Sequence, residues 1–279
     1  MLRGITGKKA PHLLAIIGAQ ARAPVTSDRI APPRPGETAS RRSGRPWEGD
    51  PGSAACNFAV SHLSRDLSVA LQADGGTHAE TCLAAIGAIA GYAAQHALLF
   101  RLKEAGNTAT LRQLQTVRTI TGGEYFFGET LNRTLMPVSQ ADAEGKLWSV
   151  AAGAAIAAGL PPSQLPDTER MFANMVDSLG GEHEGMPFVP APHLPKRPAK
   201  QLLIEVWPTA MMCFMGRFPH EPRQFGVAAT RFWPAIAAHV AGALIRQPPS
   251  ALDPRTALII VMETAIYASK LTPCVLKSV

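Results

Sequence analysis

The hydrophobic pattern singles out one stretch, from Thr77 to about Leu102, that is apolar on every side and predicts a long buried helix. From Leu83 onwards almost every residue is apolar or small, so the predicted helix has no polar face. Its uninterrupted apolar run is shorter than the roughly 20 residues that a membrane-spanning helix needs. We therefore expect no integral membrane segment here and place this helix at the centre of a folded protein.

Two features of this stretch predict how the helix begins and what packs on it. Thr77 and Glu80 have the spacing of a capping box, in which each side chain bonds the other residue's backbone N–H. Small residues recur every three or four positions and form one smooth stripe: Ala84, Gly87, Ala88, Gly91 and Gln95. Glycine inside a helix costs about 1 kcal/mol relative to alanine. We expect the close approach of a second helix to compensate; a groove for a ligand is the alternative.

Apolar periodicity, capping residues and proline breaks predict further helices along the chain. They cover residues 54–73, 108–115, 129–136, 142–160, 167–179, 200–218, 221–247 and 253–272. Two of them contain the dipeptide Trp-Pro, at Trp207-Pro208 and Trp233-Pro234, and proline inside a helix kinks or ends it. We expect either two kinked helices packed side by side or breaks into shorter helices. The last helix has a strong start, with Asp253 as N-cap and Pro254 at the first helical position.

One β signal is present, because TVRTIT (116–121) and EYFF (124–127) flank Gly122-Gly123 and predict a hairpin with a two-residue turn. An isolated two-stranded hairpin is marginal in water, so we expect it to lie on the helical core or to pair across a dimer. The residues at and after this turn include several polar ones: Glu124, Tyr125, Glu129, Asn132 and Arg133. Loop positions of this kind often carry function, although helix capping explains Glu129 and Asn132 nearly as well.

A proline-rich segment, residues 181–198 (GEHEGMPFVPAPHLPKRP), predicts extended, polyproline-like backbone. We expect it to run as a strap over the helices. It contains four residues of metal-binding type: Glu182, His183, Glu184 and His193. They share one loop without helical spacing, so we expect them to be solvated and predict no metal site.

Residues 1–52 are rich in Pro, Gly, Ser and Arg and predict a disordered basic tail, followed by a single α-helical domain over residues 53–279. The tail begins with Lys8-Lys9, an apolar run LLAIIGA and Ala19-Gln20-Ala21, which together resemble a weak secretory signal. The apolar run is about as short as such signals allow. A true tail or an upstream start codon is therefore the expectation.

The charge of the chain is concentrated in this tail. Of a formal net charge of +6, residues 1–51 carry +5, from nine Lys or Arg against four Asp or Glu, and the rest is nearly neutral. A nucleic-acid-binding domain carries its charge on its folded face, so we expect no nucleic-acid partner. The four cysteines are scattered without metal-like spacing and fit a reducing, cytoplasmic setting.

The most informative single residue is Glu263, since the chain has no GxGxxG, phosphate-loop, GxSxG or HExxH motif. Glu263 follows the apolar run ALIIVM in the last predicted helix, on a face that also carries Tyr267 and Lys270. A buried carboxylate must pair with a charge, accept hydrogen bonds or take up a proton. We expect a structural ion pair or a hydrogen-bond anchor. A functional acid with a raised pKa is the alternative, and exposure to solvent is the third possibility.

Three further polar residues interrupt apolar helices: Gln95 and His96 in the central helix and His239 in the penultimate one. A lone histidine in such a helix is most often a core residue with a satisfied hydrogen bond. If Glu263, His96 and His239 met in space, a carboxylate orienting an imidazole would provide general acid–base machinery. The candidate interior polar site is therefore Glu263, His96, Gln95, His239 and Lys270. No catalytic residue is assigned and no cofactor is expected.

Three stretches, GAIAGYAAQHALL, YFFGETLN and IVMETAIYASK, resemble parts of a bacterial protein family with no assigned activity. The resemblance covers roughly residues 77–272, implies a single helical domain and transfers no function.

The sequence thus predicts a mainly α protein, a single bundle-like helical domain with one small β-hairpin and a proline-rich extended strap. The favoured function is a soluble bacterial scaffold or interaction protein that forms a homo-oligomer by burying the hairpin or a Gly/Ala stripe. The alternative is an enzyme or small-molecule-binding protein with an interior polar site around Glu263. A membrane-peripheral protein that uses its basic tail is the third possibility.

Overall fold

The computed structural model describes residues 45–72, 78–112, 114–217, 226–247 and 252–276. Within these ranges the chain forms nine α-helices and one antiparallel hairpin, so the fold is mainly α, as predicted. The helices are α1 (Ser53–Ala70), α2 (Ala79–Glu104), α3 (Thr108–Arg112), α4 (Glu129–Leu135), α5 (Leu147–Ala157), α6 (Thr168–Ser178), α7 (Ala199–Phe214), α8 (Trp233–Arg246) and α9 (Pro254–Ala268). The strands are β1 (Gln115–Arg118) and β2 (Glu124–Phe127).

Helix α2 lies at the centre of the protein, as its apolar pattern predicts. It packs against α9, α8 and α7, and the side chains from Thr81 to Gln95 are all buried. Of the described helices, α2 is also the one that is long and apolar enough to cross a membrane. Its apolar window is 78% buried inside the protein, which is the environment of a core helix.

The glycines of α2 allow α9 to approach closely. A Cβ added at Gly91 would lie 2.0 Å from the carbonyl oxygen of Ala265, and one added at Gly87 would lie 2.2 Å from Oγ1 of Thr264. No side chain fits at such distances, so these two glycines set the separation of the two backbones. The stripe is a helix-packing surface, which confirms the expected compensation for glycine inside a helix.

The start of α2 differs from the predicted capping box. His78 is the N-cap, and its Nδ1 accepts a hydrogen bond from the backbone N–H of Thr81 at 3.3 Å. Thr77, the predicted cap, lies outside the described residues. Glu80 contacts Nε2 of His78 at 3.4 Å and Nδ1 of His193 at 3.1 Å. The carboxylate therefore ties the proline-rich strap to the beginning of α2.

The beginning of α9 is as predicted, because Oδ1 of Asp253 accepts hydrogen bonds from the backbone N–H groups of Arg255 and Thr256 at 2.9 and 3.2 Å. The helix predicted to open at Asp142 instead begins at Leu147. Residues 140–142 form a short 3-10 turn, and Gly145, with φ +72°, reverses the chain before α5.

The two Trp-Pro pairs occupy different positions in their helices. Pro208 lies inside α7, whereas Pro234 lies in the first turn of α8, where its missing N–H leaves no broken bond. The expectation of two matching kinked helices is therefore wrong, and the alternative of a break into a shorter helix holds for Trp233-Pro234 but not for Trp207-Pro208. Residues 218–225, where the second of these helices was predicted to begin, lie outside the described residues.

The hairpin has a longer turn than predicted. Arg118 pairs with Glu124, so five residues rather than two connect the strands. The side chain of Thr119 closes this loop, because its Oγ1 accepts a hydrogen bond from the backbone N–H of Gly123 at 3.0 Å. This side-chain hydrogen bond stabilises the five-residue loop, which therefore competes with the tight two-glycine turn that the sequence predicts.

The hairpin lies on the helical core, through the end of α9. Tyr125 pairs with Leu271 in an antiparallel bridge, and the backbone N–H of Phe126 donates to the carbonyl oxygen of Lys270 at 2.6 Å. These bonds attach the hairpin to the helical core of the same chain, which is the first of the two arrangements expected from the sequence.

The folded domain begins earlier than predicted. Trp47 is fully buried, its Nε1–H donates to Oδ1 of Asn57 at 2.9 Å, and its ring contacts the rings of Phe232 and His239. Residues 45–52 therefore belong to the helical domain and not to the tail, because the indole is buried with its N–H paired. Residues 1–44 lie outside the described part of the chain, so the tail and the weak secretory signal stay predictions.

The second Gly/Ala-rich helix, α5, also packs within the chain. Gly242 of α8 provides the close approach, since a Cβ there would lie 3.1 Å from Cγ1 of Val150, whereas a Cβ at Gly153 of α5 would meet nothing within 4 Å. Both the docked hairpin and the glycine contacts of α2 and α8 are thus used inside one chain. The homo-oligomer itself stays a prediction.

Candidate functional site

Three buried ionisable side chains lie on α9 and in the turn that follows it. Glu263 and Tyr267 are four residues apart and share one face of α9, and Lys270 lies in the turn after the helix, where its backbone N–H donates to the carbonyl oxygen of Tyr267 at 3.0 Å. Their exposed fractions are 5%, 2% and 1%. Each meets a polar group supplied by another part of the chain. We call these three residues the polar face of α9.

Glu263 is held by two hydrogen bonds. Nδ2 of Asn174, on α6, donates to Oε1 at 2.8 Å, and the backbone N–H of Phe188, in the strap, donates to Oε2 at 2.5 Å. Burial raises the pKa of the Glu263 carboxyl, and the two hydrogen bonds partly oppose this rise. The sequence-based expectation of a buried carboxylate acting as a hydrogen-bond anchor is confirmed. In the described part of the chain, no ion pair within 4.0 Å involves Glu263.

Tyr267 and the hairpin residue Tyr125 share one carboxylate of the strap. The hydroxyl groups of Tyr267 (2.7 Å) and Tyr125 both donate to Oε1 of Glu184, and the backbone N–H of Gly180 donates to Oε2 at 2.8 Å. Burial alone would raise the pKa of Glu184, but these three bonds and the charge of Lys200 bring it below its usual value. Glu184 is therefore half-buried and hydrogen-bonded rather than simply solvated as expected, whereas Glu182 and His183 are exposed.

Lys270 points to the helix that follows the hairpin. Its Nζ donates to Oδ1 of Asn132 at 2.5 Å and lies 5.8 Å from the centre of the Phe127 ring. Burial lowers the pKa of Lys270 to about 7, and the charge of Glu129 opposes part of this shift. Among the described residues no carboxylate lies within ion-pair distance of Nζ. Glu129 makes no direct contact with the amine. Its Oε2 accepts a hydrogen bond at 3.4 Å from Nδ2 of Asn132, the residue whose Oδ1 accepts from Lys270.

The two candidate histidines do not join this face. His96 stacks on Trp233 with ring centroids 5.0 Å apart, and its buried Nδ1 has no hydrogen-bond partner. His239 contacts Trp47 edge to face at 5.2 Å. Burial lowers the pKa of both imidazoles. None of the hydrogen bonds or ring contacts of the described residues connects either histidine to Glu263, so the proposed carboxylate–imidazole machinery is not assembled.

Gln95 is placed beside the polar face but serves the backbone. Its Nε2 donates to the carbonyl oxygens of Ser269 and Leu271 at 2.9 and 2.7 Å, which satisfies acceptors at the end of α9. Its Oε1 is buried without a partner. Gln95 therefore belongs to the junction of α2 and α9.

Metal ligation has no candidate in the described part of the chain, where no group of three His, Cys, Asp or Glu residues is placed to hold an ion. The thiols of Cys56, Cys82 and Cys213 are free and buried, and burial raises their pKa values to about 11, 11 and 12. Such thiols are poor nucleophiles at neutral pH.

Sequence reasoning found the residues of α9 and some of their partners, but not the pairing. Tyr125 and Asn132 drew attention as polar residues that follow a turn, and both contact the polar face. Asn174 carried no signal, because one amide in an amphipathic helix is ordinary. In the sequence Glu184 is one of four loop residues of metal-binding type, and no pattern shows that two tyrosines distant along the chain converge on it.

The shared carboxylate makes a testable prediction about the two tyrosines. We expect Tyr125→Phe and Tyr267→Phe each to lower the free energy of unfolding by about 1 to 2 kcal/mol. Because either hydroxyl still supports Oε1 of Glu184 when the other is removed, the double variant should cost about 1 kcal/mol more than the sum. Urea unfolding of the four proteins measures this coupling. Strict additivity would show that the two hydroxyls act independently.

No protein-family model matches the chain, and no curated protein or solved structure matches it either. This agrees with a resemblance to a family without an assigned activity.

Proposed function

We propose that this protein binds a small polar molecule at the polar face of α9, as a ligand-binding protein or an enzyme. The observation that carries the proposal is the burial of Glu263 and Tyr267 on α9 and of Lys270 in the turn after it, with no ion pair to Glu263 or Lys270 in the described part of the chain.

The energetic argument favours a functional role for these groups. Removing an ionisable group from water costs several kcal/mol, and apolar residues of similar size would often make an equally stable core. Burial raises the pKa of Glu263, while Glu184 and Lys270 have lowered pKa values. Clusters of groups shifted in opposite directions are typical of binding and catalytic sites.

The strap covers this face and is the segment that a ligand would have to displace. It contacts Glu263 through the backbone N–H of Phe188, whose ring is 66% exposed, and reaches Tyr267 through Glu184. At its other end it is held by His193, which contacts Glu80, and by the backbone N–H of Lys196, which donates to Oγ1 of Thr81 at 3.0 Å. A ligand that offers a donor to Glu263 and an acceptor to the two tyrosine hydroxyls would take the place of the Phe188 N–H and the Glu184 carboxylate at this face.

The scaffold or interaction protein that the sequence favours stays an untested prediction, and the hairpin and the glycines Gly87, Gly91 and Gly242 do not support it, because they make contacts within the chain. Homo-oligomerisation, a bacterial origin, a cytoplasmic location and a membrane-peripheral role of the tail remain proposals without support from the described residues.

A thermal-shift screen tests the proposed function. We expect at least one compound from a panel of metabolites and metal ions to raise the melting temperature of the wild type. A ligand at 100 times its Kd adds about 2.7 kcal/mol of stability. The same compound should stabilise Glu182→Gln, which alters an exposed carboxylate of the strap, and should fail to stabilise Glu263→Gln. Equal shifts in all three proteins, or no shift across the panel, would contradict the proposal.

A further inference from the structure

Most of the strap forms an Ω-loop, a surface loop whose two ends meet. The backbone N–H of Ala199, at the start of α7, donates to the carbonyl oxygen of Gly185 at 2.9 Å, and this bond closes a loop of residues 186–198. Gly185 has φ +75° and rests on Tyr267, since a Cβ there would lie 3.1 Å from the tyrosine ring. Glu184, just before the loop, accepts a hydrogen bond from the hydroxyl group of Tyr267 at 2.7 Å. The base of the Ω-loop is therefore fixed to α7 and α9.

Beyond this base the Ω-loop is attached mainly by polar contacts. Among its residues, only Pro187 and Pro195 are buried. The polar contacts that join it to the described helices are the pairs Phe188–Glu263, Lys196–Thr81, His193–Glu80 and Arg197–Glu205. A segment with few buried apolar side chains opens at a lower free energy than the whole fold. These contacts therefore break before the helical core does.

Resting on the proposed function, we propose that the Ω-loop is a cover that opens as one unit about its base and admits a ligand to Glu263. Opening removes the backbone N–H of Phe188 from Oε2 of Glu263, while the bond from Asn174 to Oε1 stays in place. The freed oxygen can accept a hydrogen bond from a ligand. The ligand class is a small molecule that presents an N–H or O–H group.

The composition of the Ω-loop favours movement as one unit. It contains five prolines: Pro187, Pro190, Pro192, Pro195 and Pro198. Proline fixes φ, and proline-rich backbone keeps an extended shape without internal hydrogen bonds. The loop therefore keeps its shape when its outer contacts break, and the contacts at its two ends are lost together.

Glu80 supplies the contact that keeps the cover closed at its far end. Its Oε1 lies 3.1 Å from Nδ1 of His193, and its Oε2 lies 3.4 Å from Nε2 of His78, so one carboxylate joins the loop to the beginning of α2. No hydrogen bond or ion pair among the described residues joins Glu80 directly to Glu263 or Phe188. A change at Glu80 thus acts on the bond between Phe188 and Glu263 through the loop.

Hydrogen exchange of the full chain, followed at single amides by NMR, tests the cover. The amides of Phe188 and Lys196 report on its two ends, because each donates to a group outside the loop. The amide of Val261, in the buried middle of α9, reports on global unfolding. In the wild type we expect both loop amides to exchange at least about a hundredfold faster than Val261, since a local opening costs less than global unfolding.

Three variants show whether the two ends open together. Glu80→Gln replaces a charged acceptor by a neutral one, so the amides of Phe188 and Lys196 should both exchange about fivefold to tenfold faster. His193→Ala removes the same contact from the loop side and should accelerate both amides in the same way. Glu182→Gln changes an exposed carboxylate outside the loop and should leave both rates unchanged.

Three outcomes would overturn the cover: loop amides that exchange no faster than Val261, acceleration of Lys196 without Phe188 in Glu80→Gln, or equal rates in Glu80→Gln and Glu182→Gln. The proposed function fails separately. If the loop opens as one unit but no compound raises the melting temperature, the motion is right and the proposed function is wrong. If a compound stabilises the wild type and not Glu263→Gln while the loop opens only with α9, the proposed function stands and the cover is wrong.

Discussion

Replacing Gly91 by alanine is expected to lower the free energy of unfolding by about 3 kcal/mol or more. The added Cβ would lie 2.0 Å from the carbonyl oxygen of Ala265 and 2.8 Å from its Cα, so backbone atoms rather than a flexible side chain must move. Helices α2 and α9 would have to separate along their whole contact. Overpacking a close-packed core typically costs 1 to 3 kcal/mol, and rigid backbone on the opposing side places this site at the upper end.

Gly153→Ala is the matched control for this substitution. Gly153 also lies inside a helix, but an added Cβ there meets nothing within 4 Å. Alanine is the better helix former, so this variant should be more stable by about 0.5 to 1 kcal/mol. Urea unfolding of both variants gives the comparison. Similar changes for the two glycines would mean that α2 and α9 are not in backbone contact.

The second large effect is a rise in stability with pH that depends on Lys270. Its pKa is lowered from 10.5 to about 7 in the folded protein, so between these values the unfolded chain binds a proton that the folded protein does not. Stability therefore increases with pH across this window and is reduced as pH falls through about 7. From pH 7 to pH 8.5 the expected gain is about 1.5 kcal/mol.

The range from pH 7 to pH 8.5 separates the titration of Lys270 from that of the other buried groups. The buried thiols titrate from pH 9 upwards in the unfolded chain and have the opposite effect, since burial raises their pKa values. Burial lowers the pKa values of His96 and His239 from 6.5, so their contributions change below the window. Denaturant unfolding of wild type and Lys270→Met at several pH values isolates the lysine. An unchanged pH dependence in the variant would show that the Lys270 amine stays charged in the folded protein.

The parts of the fold that the sequence predicted are those determined by local chemistry. The cap at Asp253, the close-packing glycines of α2 and the burial of Glu263 all follow from residues within a few positions of one another. The longer hairpin turn was missed because the side chain of Thr119 closes it in competition with the two glycines. The burial of Trp47 could not be predicted, because a single aromatic residue among prolines and arginines shows no hydrophobic periodicity.

The composition of the candidate site was only half predictable. The spacing of Glu263 and Tyr267 places them on one face of α9, and this much can be derived from a helix alone, whereas Lys270 lies in the turn after the helix. Their partners come from α6, the strap, the hairpin and α4. Which of these polar groups contacts each of the three side chains depends on the tertiary packing of these segments, which the sequence pattern does not show. His96 and His239 were plausible partners by residue type, but the indoles of Trp233 and Trp47 hold them elsewhere.

The pairing of α2 with α9 also affects when the protein can fold during synthesis. Gln95 bonds the carbonyl oxygen of Ser269, 174 residues further along the chain, and the two helices run in the same direction over several turns. Contacts between such distant residues slow folding, because the intervening chain must be ordered first. The ribosome therefore completes α2 long before its principal neighbour exists. We therefore expect this apolar helix to be prone to aggregation or to need temporary contacts while the rest of the chain is being synthesised.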